Sequence, residues 1–129
     1  ILNRESGLLA LGGSNDLRVL HQAGTPEAHF ALAHFIYWAV RHAGSMIAAM
    51  AGLDAMVFTG GIGENDPVVR AGIAGGLGFL GTVVDPAANR QNAAEVQAAT
   101  SRVAIWTVPA DEERQIAFEA QAVMAGEGA

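Results

Sequence analysis

The chain has 129 residues, 51% of them hydrophobic, no cysteine, and a formal charge of −6 at pH 7 in which every basic residue is an arginine. That length suits one domain with a single core. Without thiols there are no disulfides or thiolate metal sites, and an acidic chain with no basic run excludes nucleic acid and anionic membrane surfaces as partners.

Residues 1–129 therefore read as a single domain, and a cytoplasmic location is compatible with the lack of cysteine. The opening Ile1-Leu2-Asn3-Arg4-Glu5 has neither the charge order nor the cleavage pattern of a signal peptide, and it reads as an interior segment of a longer chain. The apolar stretch from Phe30 to Met50 has membrane length, but His34, Arg41 and His42 interrupt it. Charges at those places are expensive in lipid, so the stretch is predicted to be a buried helix.

In chain order, Leu8 to Leu11 is a short apolar run that ends at Gly12-Gly13. Ser14 is placed to cap a short helix through about His21, stopped near Gly24. Pro26 suits a first helical turn, and Leu32, Phe35, Ile36, Ala39, Ile47 and Met50 recur at helical spacing up to a left-handed cap predicted at Gly52. Asp54 to Thr59 is predicted to be a buried strand, followed by a glycine turn and by a helix that Asp66 caps and Pro67 opens, running to Gly75 or Gly78. Further on come a short strand at Thr82-Val83-Val84, an exposed helix from Pro86 to Gln97, and a strand from Arg102 to Val108. After Pro109, Asp111 is placed to cap a last helix with Ile116, Ala120, Val123 and Met124 on one stripe, before residues 126–129 fray. Strands alternating with helices predict an α/β fold with some parallel pairing.

Three segments carry groups suited to chemistry, and each has a plain structural reading beside the functional one. Gly60-Gly61-Ile62-Gly63-Glu64-Asn65-Asp66-Pro67 follows a strand and opens a helix. Glycines there admit close backbone approach, and a helix start offers N–H groups to phosphate; equally, the glycines serve a tight strand-to-helix turn. Neither familiar glycine-loop motif fits, because the third dinucleotide-loop glycine is missing and the chain has no lysine for a Walker A loop. Asp111-Glu112-Glu113 lies past a strand end, where carboxylates serve a hard cation or simply complement a helix dipole. Ser14-Asn15-Asp16-Leu17-Arg18 puts an arginine and a carboxylate at a helix start, for a phosphate and a sugar hydroxyl or as cap and surface charge. The histidines are spaced five and eight apart rather than at metal-ligand spacing, and His34 and His42 read as partly buried helix residues. Trp38 and Trp106 read as core or subunit-contact residues.

Taken together and in order, Glu5-Ser6-Gly7-Leu8-Leu9, Ser14-Asn15-Asp16-Leu17-Arg18, Val57-Phe58-Thr59-Gly60-Gly61-Ile62-Gly63-Glu64-Asn65 and Pro109-Ala110-Asp111-Glu112-Glu113 resemble the C-terminal third of the acetate and propionate kinases, from about Arg4 to Met124. The resemblance implies part of a ribonuclease-H-like, actin-like ATPase domain, the superfamily of actin, the sugar kinases and the heat-shock ATPases. It implies a magnesium-assisted transfer of phosphate between ATP and a short-chain carboxylate, giving acyl phosphate and ADP. By that likeness Asp16, Leu17 and Arg18 are one nucleotide-contacting segment, Gly61, Ile62, Gly63, Glu64 and Asn65 form the turn against the adenosine, and Glu112 is the magnesium acid. It also implies a homodimer through this region, with Tyr37 and Trp38 exposed on a monomer.

Where Asn15 stands the family usually has a second serine, where Val19 stands often an acid, and where Ala110 and Asp111 stand commonly Thr and Asn. The family's other phosphate loop, its carboxylate pocket and its transition-state arginine and histidine lie upstream of this chain's start, so no catalytic residue is assigned here and the isolated fragment is expected to be inactive. Two rivals stay open from the sequence: a butyrate-type kinase of the same superfamily, and a non-catalytic nucleotide-sensing or dimerisation module.

Overall fold

A computed structural model describes residues 5–126; residues 1–4, Arg4 among them, and residues 127–129, where the sequence predicts fraying, lie outside that range. The element order is α1 (Leu8–Gly12), α2 (Leu17–Ala23), α3 (Pro26–Met50), β1 (Ala55–Phe58), α4 (Gly60–Asn65), α5 (Pro67–Gly76), a 3₁₀ turn at Gly78–Leu80, α6 (Pro86–Arg90), β2 (Ala104–Thr107) and α7 (Glu112–Met124). The two strands pair in parallel, with Ala55 opposite Ala104 and Phe58 opposite Thr107. The α/β reading with parallel pairing holds.

Local chemistry explains most boundaries. Asp16 caps α2 by accepting from the Arg18 N–H, while the Ser14 hydroxyl accepts from the Asp16 N–H, so the cap falls two residues later than expected. Thr25 caps α3 through the Ala28 N–H, with Pro26 in the first turn. At the other end of α3 the left-handed residue is Ala51 rather than Gly52, with φ 61°. The Ala51 N–H donates to the Ala48 carbonyl and the Gly52 N–H to the Ile47 carbonyl, a Schellman closure that places Ala51 where glycine is preferred. A Cβ there costs roughly 1–2 kcal/mol.

The glycine segment after β1 is itself helical, as α4, and the helix from Pro67 follows it directly. Asp66 joins the two: its N–H donates to the Ile62 carbonyl, closing α4, and Oδ1 accepts from the Val68 and Val69 N–H groups, capping α5. Thr82-Val83-Val84 forms no strand. It is confined between Gly81, at φ 92°, and the Asp85 cap of α6, and it makes one antiparallel bridge from Val84 to Gln97. α6 stops at Arg90 instead of reaching Gln97 because Asn92 turns left-handed at φ 51°, and residues beyond it run extended along β2, with a bridge from Glu95 to Trp106.

Two clusters make up the core. Leu17, Leu20, Ala28, Ala31, Leu32 and Val69 join α2, α3 and α5; Phe58, Ala74, Val96 and Ile105 join the sheet to α5; and Ile73 packs against both. Gly72 and Gly76, one turn apart on α5, let it lie against α3, since a Cβ at Gly72 would sit 2.8 Å from Ile36 Cδ1 and one at Gly76 2.6 Å from Val40 Cγ2.

The strands are less enclosed than expected: Val57 is 51% and Trp106 43% exposed, and the two stand opposite each other on one open sheet face. Met50 and the α7 residues Ile116, Val123 and Met124 also face outward, and no described α7 residue is buried.

Among the described residues, Arg70 is the most completely buried polar side chain. Arg70 is 0% exposed, and its guanidinium donates to Asn89 Oδ1 at 2.7 Å, the Gly63 carbonyl at 2.8 Å, the Asn89 carbonyl at 2.6 Å and Asn92 Oδ1 at 2.6 Å. Asn89 in turn donates to the Pro67 carbonyl at 2.8 Å. Burial pushes the Arg70 pKa down from its ordinary value, against the opposing pull of the Asp66 charge. Removing the guanidinium leaves four acceptors without their donor, so Arg70→Met is expected to lower unfolding stability by about 3–5 kcal/mol. Urea unfolding measures this, and a loss below about 1 kcal/mol would mean that water replaces the network.

Candidate functional site

The first turns of α2 and the helix α4 are separated by a long stretch of chain that includes all of α3, yet they face one another. Asn15, Asp16, Leu17, Arg18 and His21 on one side, and Gly61, Ile62, Asn65, Asp66, Pro67 and Val68 on the other, line a single open cleft of about 860 Å³. What brings them together is the α2–α3–α5 core cluster, in which Leu17 and Leu20 pack with Val69.

On the α2 wall, Arg18 folds back on Asp16, with Nε 3.0 Å from Oδ1 and a terminal nitrogen 2.6 Å from Oδ2. The Arg18 guanidinium first, and its backbone N–H second, hold the Asp16 carboxyl down at about 2 against an ordinary value of 3.8. Leu17 is buried and contributes the apolar root of this wall.

On the facing wall, the five residues Gly61 to Asn65 divide their work. Gly61 and Ile62 are exposed to the cleft, and Asn65 Nδ2 donates back to the Gly61 carbonyl at 3.0 Å. Gly63 lies buried beneath, where a Cβ would come 3.1 Å from the Phe58 carbonyl carbon, and its own carbonyl accepts from Arg70. Glu64 does not line the cleft. Its Oε1 accepts from the Ala110 N–H at 2.9 Å, which ties α4 to the segment leading into α7. The free N–H groups expected at the helix start after the glycines are taken at α5, because Asp66 Oδ1 already accepts from Val68 and Val69.

Glu112 stands in the first turn of α7, exposed and outside the cleft lining. Asp111 precedes it in a left-handed conformation, φ 44°, with no cap bond from its side chain, contrary to the expected cap; it faces Arg114 at 3.9 Å instead. Among the described residues no three histidines or acids gather as a metal site. An exposed carboxylate such as Glu112, here between Asp111 and Glu113, fits the mode in which Mg²⁺ takes one or two protein carboxylates and draws its other ligands from phosphate and water.

Sequence reasoning missed His21 as a group of this site and Arg70 as the support behind its wall, and gave Asp66 the role of a helix cap. Arg70 carried a usable signal, a charge on the same face of α5 as Ile73 and Ala74; His21 had none. His34 is half-buried, whereas His42 is exposed, and both rings lie near Trp38, at 6.1 and 5.6 Å between centroids. Arg41 sits 4.6 Å over the Trp38 ring.

Comparison with known proteins gives a consistent result. The Acetokinase family model matches residues 1–118. Acetate kinase of Rhizobium meliloti is 45% identical over 130 residues, covering 100% of this chain and 33% of that protein. That of Nitrobacter hamburgensis is 44% identical over 117 residues, covering 90% and 29%. The crystal structure of Porphyromonas gingivalis acetate kinase superposes with a TM-score of 0.82 at 34% identity, over 95% of this chain and 33% of that one. A propionate kinase from Francisella tularensis superposes at 0.84 and 35% identity, over 92% and 31%. The chain thus spans about a third of the length of these relatives.

The Asp16–Arg18 pair gives this site a pH signature. A carboxyl held at about 2 contributes to the α2 cap fully above its ordinary value of 3.8 and loses that contribution as pH falls through about 2. Carboxyl-carbon NMR titration should place the Asp16 midpoint near the lower value, whereas a midpoint at 3.8 would mean that Arg18 swings free in solution.

Proposed function

The chain belongs to the Acetokinase family, and from that premise we propose that it is the nucleotide- and magnesium-binding part of a kinase that transfers phosphate between ATP and acetate or propionate, giving acyl phosphate and ADP. The observation that carries this reading is the cleft itself: two segments distant in sequence, Asp16 to Arg18 on one side and Gly61, Ile62 and Asn65 on the other, face one ligand-sized space.

In this reading the exposed Gly61–Ile62 turn offers backbone and an apolar side chain to the adenosine, a contact that glycine permits by leaving the approach open. Leu17 and Arg18 close the opposite side. Arg18 has a second use available, because a guanidinium paired to Asp16 can exchange that carboxylate for a phosphate oxygen of similar geometry. Gly63 and Glu64 act one step back, Gly63 by letting α4 sit on Phe58 and Glu64 by holding Ala110 and hence the start of α7. Glu112 is the magnesium acid. When bound, Mg²⁺ supplies charge neutralisation across the phosphates, which together with positioning accounts for most of the catalysis in phosphoryl transfer.

The exposed aromatic row on α3, with Tyr37 59% exposed beside Trp38, supports homodimerisation through this region. The proposed enzyme is cytoplasmic; no helix among the described residues is long and apolar enough to cross a membrane.

Two measurements test the proposal. The 129 residues alone should form no acyl phosphate from ATP and acetate in a hydroxamate assay, and detectable product would contradict the division of labour. In the complete enzyme Glu112→Ala should lose about a hundredfold or more in kcat through misplaced metal. A rate within about twofold of the unsubstituted enzyme would remove Glu112 from the site.

A further inference from the structure

His21 and Asp66 both line the cleft, one from each wall, and they meet: His21 Nε2 lies 2.7 Å from Asp66 Oδ2. The Asp66 side chain is 12% exposed, and its other oxygen is fixed by the Val68 and Val69 N–H groups. Its backbone closes α4 through Ile62. Asp66 is therefore a rigid anchor, and its carboxylate accepts from the Nε2–H of His21. His21 stands in the last turn of α2, the helix whose first turn carries Asp16, Leu17 and Arg18.

Building on the nucleotide-binding reading above, we propose that His21 and Asp66 form a positioning pair that fixes the separation of the two cleft walls and thereby the affinity for the nucleotide. The apolar contact beneath, Leu17 and Leu20 on Val69, holds α2 down but gives it no preferred direction of slide. A directional bond from the α2 C-terminal turn to the α4–α5 junction supplies that direction. Both walls must meet one ligand at the same time, and displacements of about 1 Å in such arrangements are enough to change function by orders of magnitude. The two side chains are engaged with each other through the Nε2–Oδ2 bond, and in this proposal they act on binding and leave the chemical step alone.

The test is steady-state kinetics of the complete enzyme in the ADP direction, with His21→Leu, Asp66→Ser, the double variant and His21→Gln. Serine keeps an oxygen to cap α5, so Asp66→Ser removes the partner of His21 without opening the helix. His21→Leu is expected to raise the KM for ADP about tenfold with kcat changed less than about twofold. His21→Gln, whose amide N–H reaches the same carboxylate, should recover most of that loss. Each single variant should match the double, since either one breaks the same bond. An unchanged KM in His21→Leu, a fall in kcat instead, or a further rise in KM when His21→Leu is added to Asp66→Ser would overturn the positioning role; the last result would make His21 a direct nucleotide contact. The thermal midpoints of the same four proteins are independent of turnover: shared losses support the tie, and additive losses overturn it. Absence of acyl phosphate formation by the unsubstituted enzyme would defeat the kinase reading, and the thermal comparison would still decide the tie.

Discussion

The buried guanidinium of Arg70 is the constraint on which the rest of the arrangement depends. A fully enclosed cation without a carboxylate in contact is unusual, and here it is accommodated by four neutral acceptors from α4, α6 and the turn after α6. Those acceptors are two backbone carbonyls and two asparagine amides, so the network satisfies polar groups at helix ends as much as it satisfies the arginine. The Gly63 carbonyl lies on the glycine-rich helix of the cleft wall. A six-residue helix containing three glycines has little stability of its own. Its shape is imposed from behind by Arg70, from below by the contact of Gly63 with Phe58, and at its end by Asp66.

The cleft follows from that support. Its two walls belong to elements that never adjoin in sequence, and α3 is the spacer that returns the chain so that α2 and α5 share one apolar cluster. Close seating of α5 on α3 through Gly72 and Gly76 fixes the position of the whole α4–α5 unit relative to α2. Polar contacts then refine what packing has set: Glu64 reaches Ala110, and His21 reaches Asp66. Membership of the Acetokinase family gives this geometry its chemical meaning, while the contacts themselves explain why glycines, an asparagine and an acid occur in that order.

Exposed apolar residues among the described ones include the Val57–Trp106 face of the sheet, the α7 stripe and the α3 aromatic row. A strand that reads as buried from its composition, Ala55 to Phe58, has an exposed side here: β-branched and aromatic residues record suitability for a covered sheet, not the presence of the cover.

The sequence by itself determined whatever depends on neighbours a few residues apart. The Asp66-Pro67 helix start, the Pro26 start, the Gly24 stop, the parallel α/β alternation and the ordered motifs that resemble the acetate and propionate kinases were all legible, because caps, turn residues and periodicity act within about one helical turn. Boundaries missed by a residue or two, such as Ala51 for Gly52 and Asp16 for Ser14, were decided by which of two adjacent residues completed a hydrogen bond. The tertiary structure alone decided that Asp16 to Arg18 faces Gly61 to Asn65, that Glu64 turns away to Ala110, that Asn89 is enclosed with Arg70, and that His21 meets Asp66. Those contacts join residues 45, 46 and 19 positions apart, and no local pattern encodes them. They arise where packing brings distant elements together, and at Arg70 and Asn89 it does so out of water, where leaving a group unpaired carries a cost large enough to select its partner.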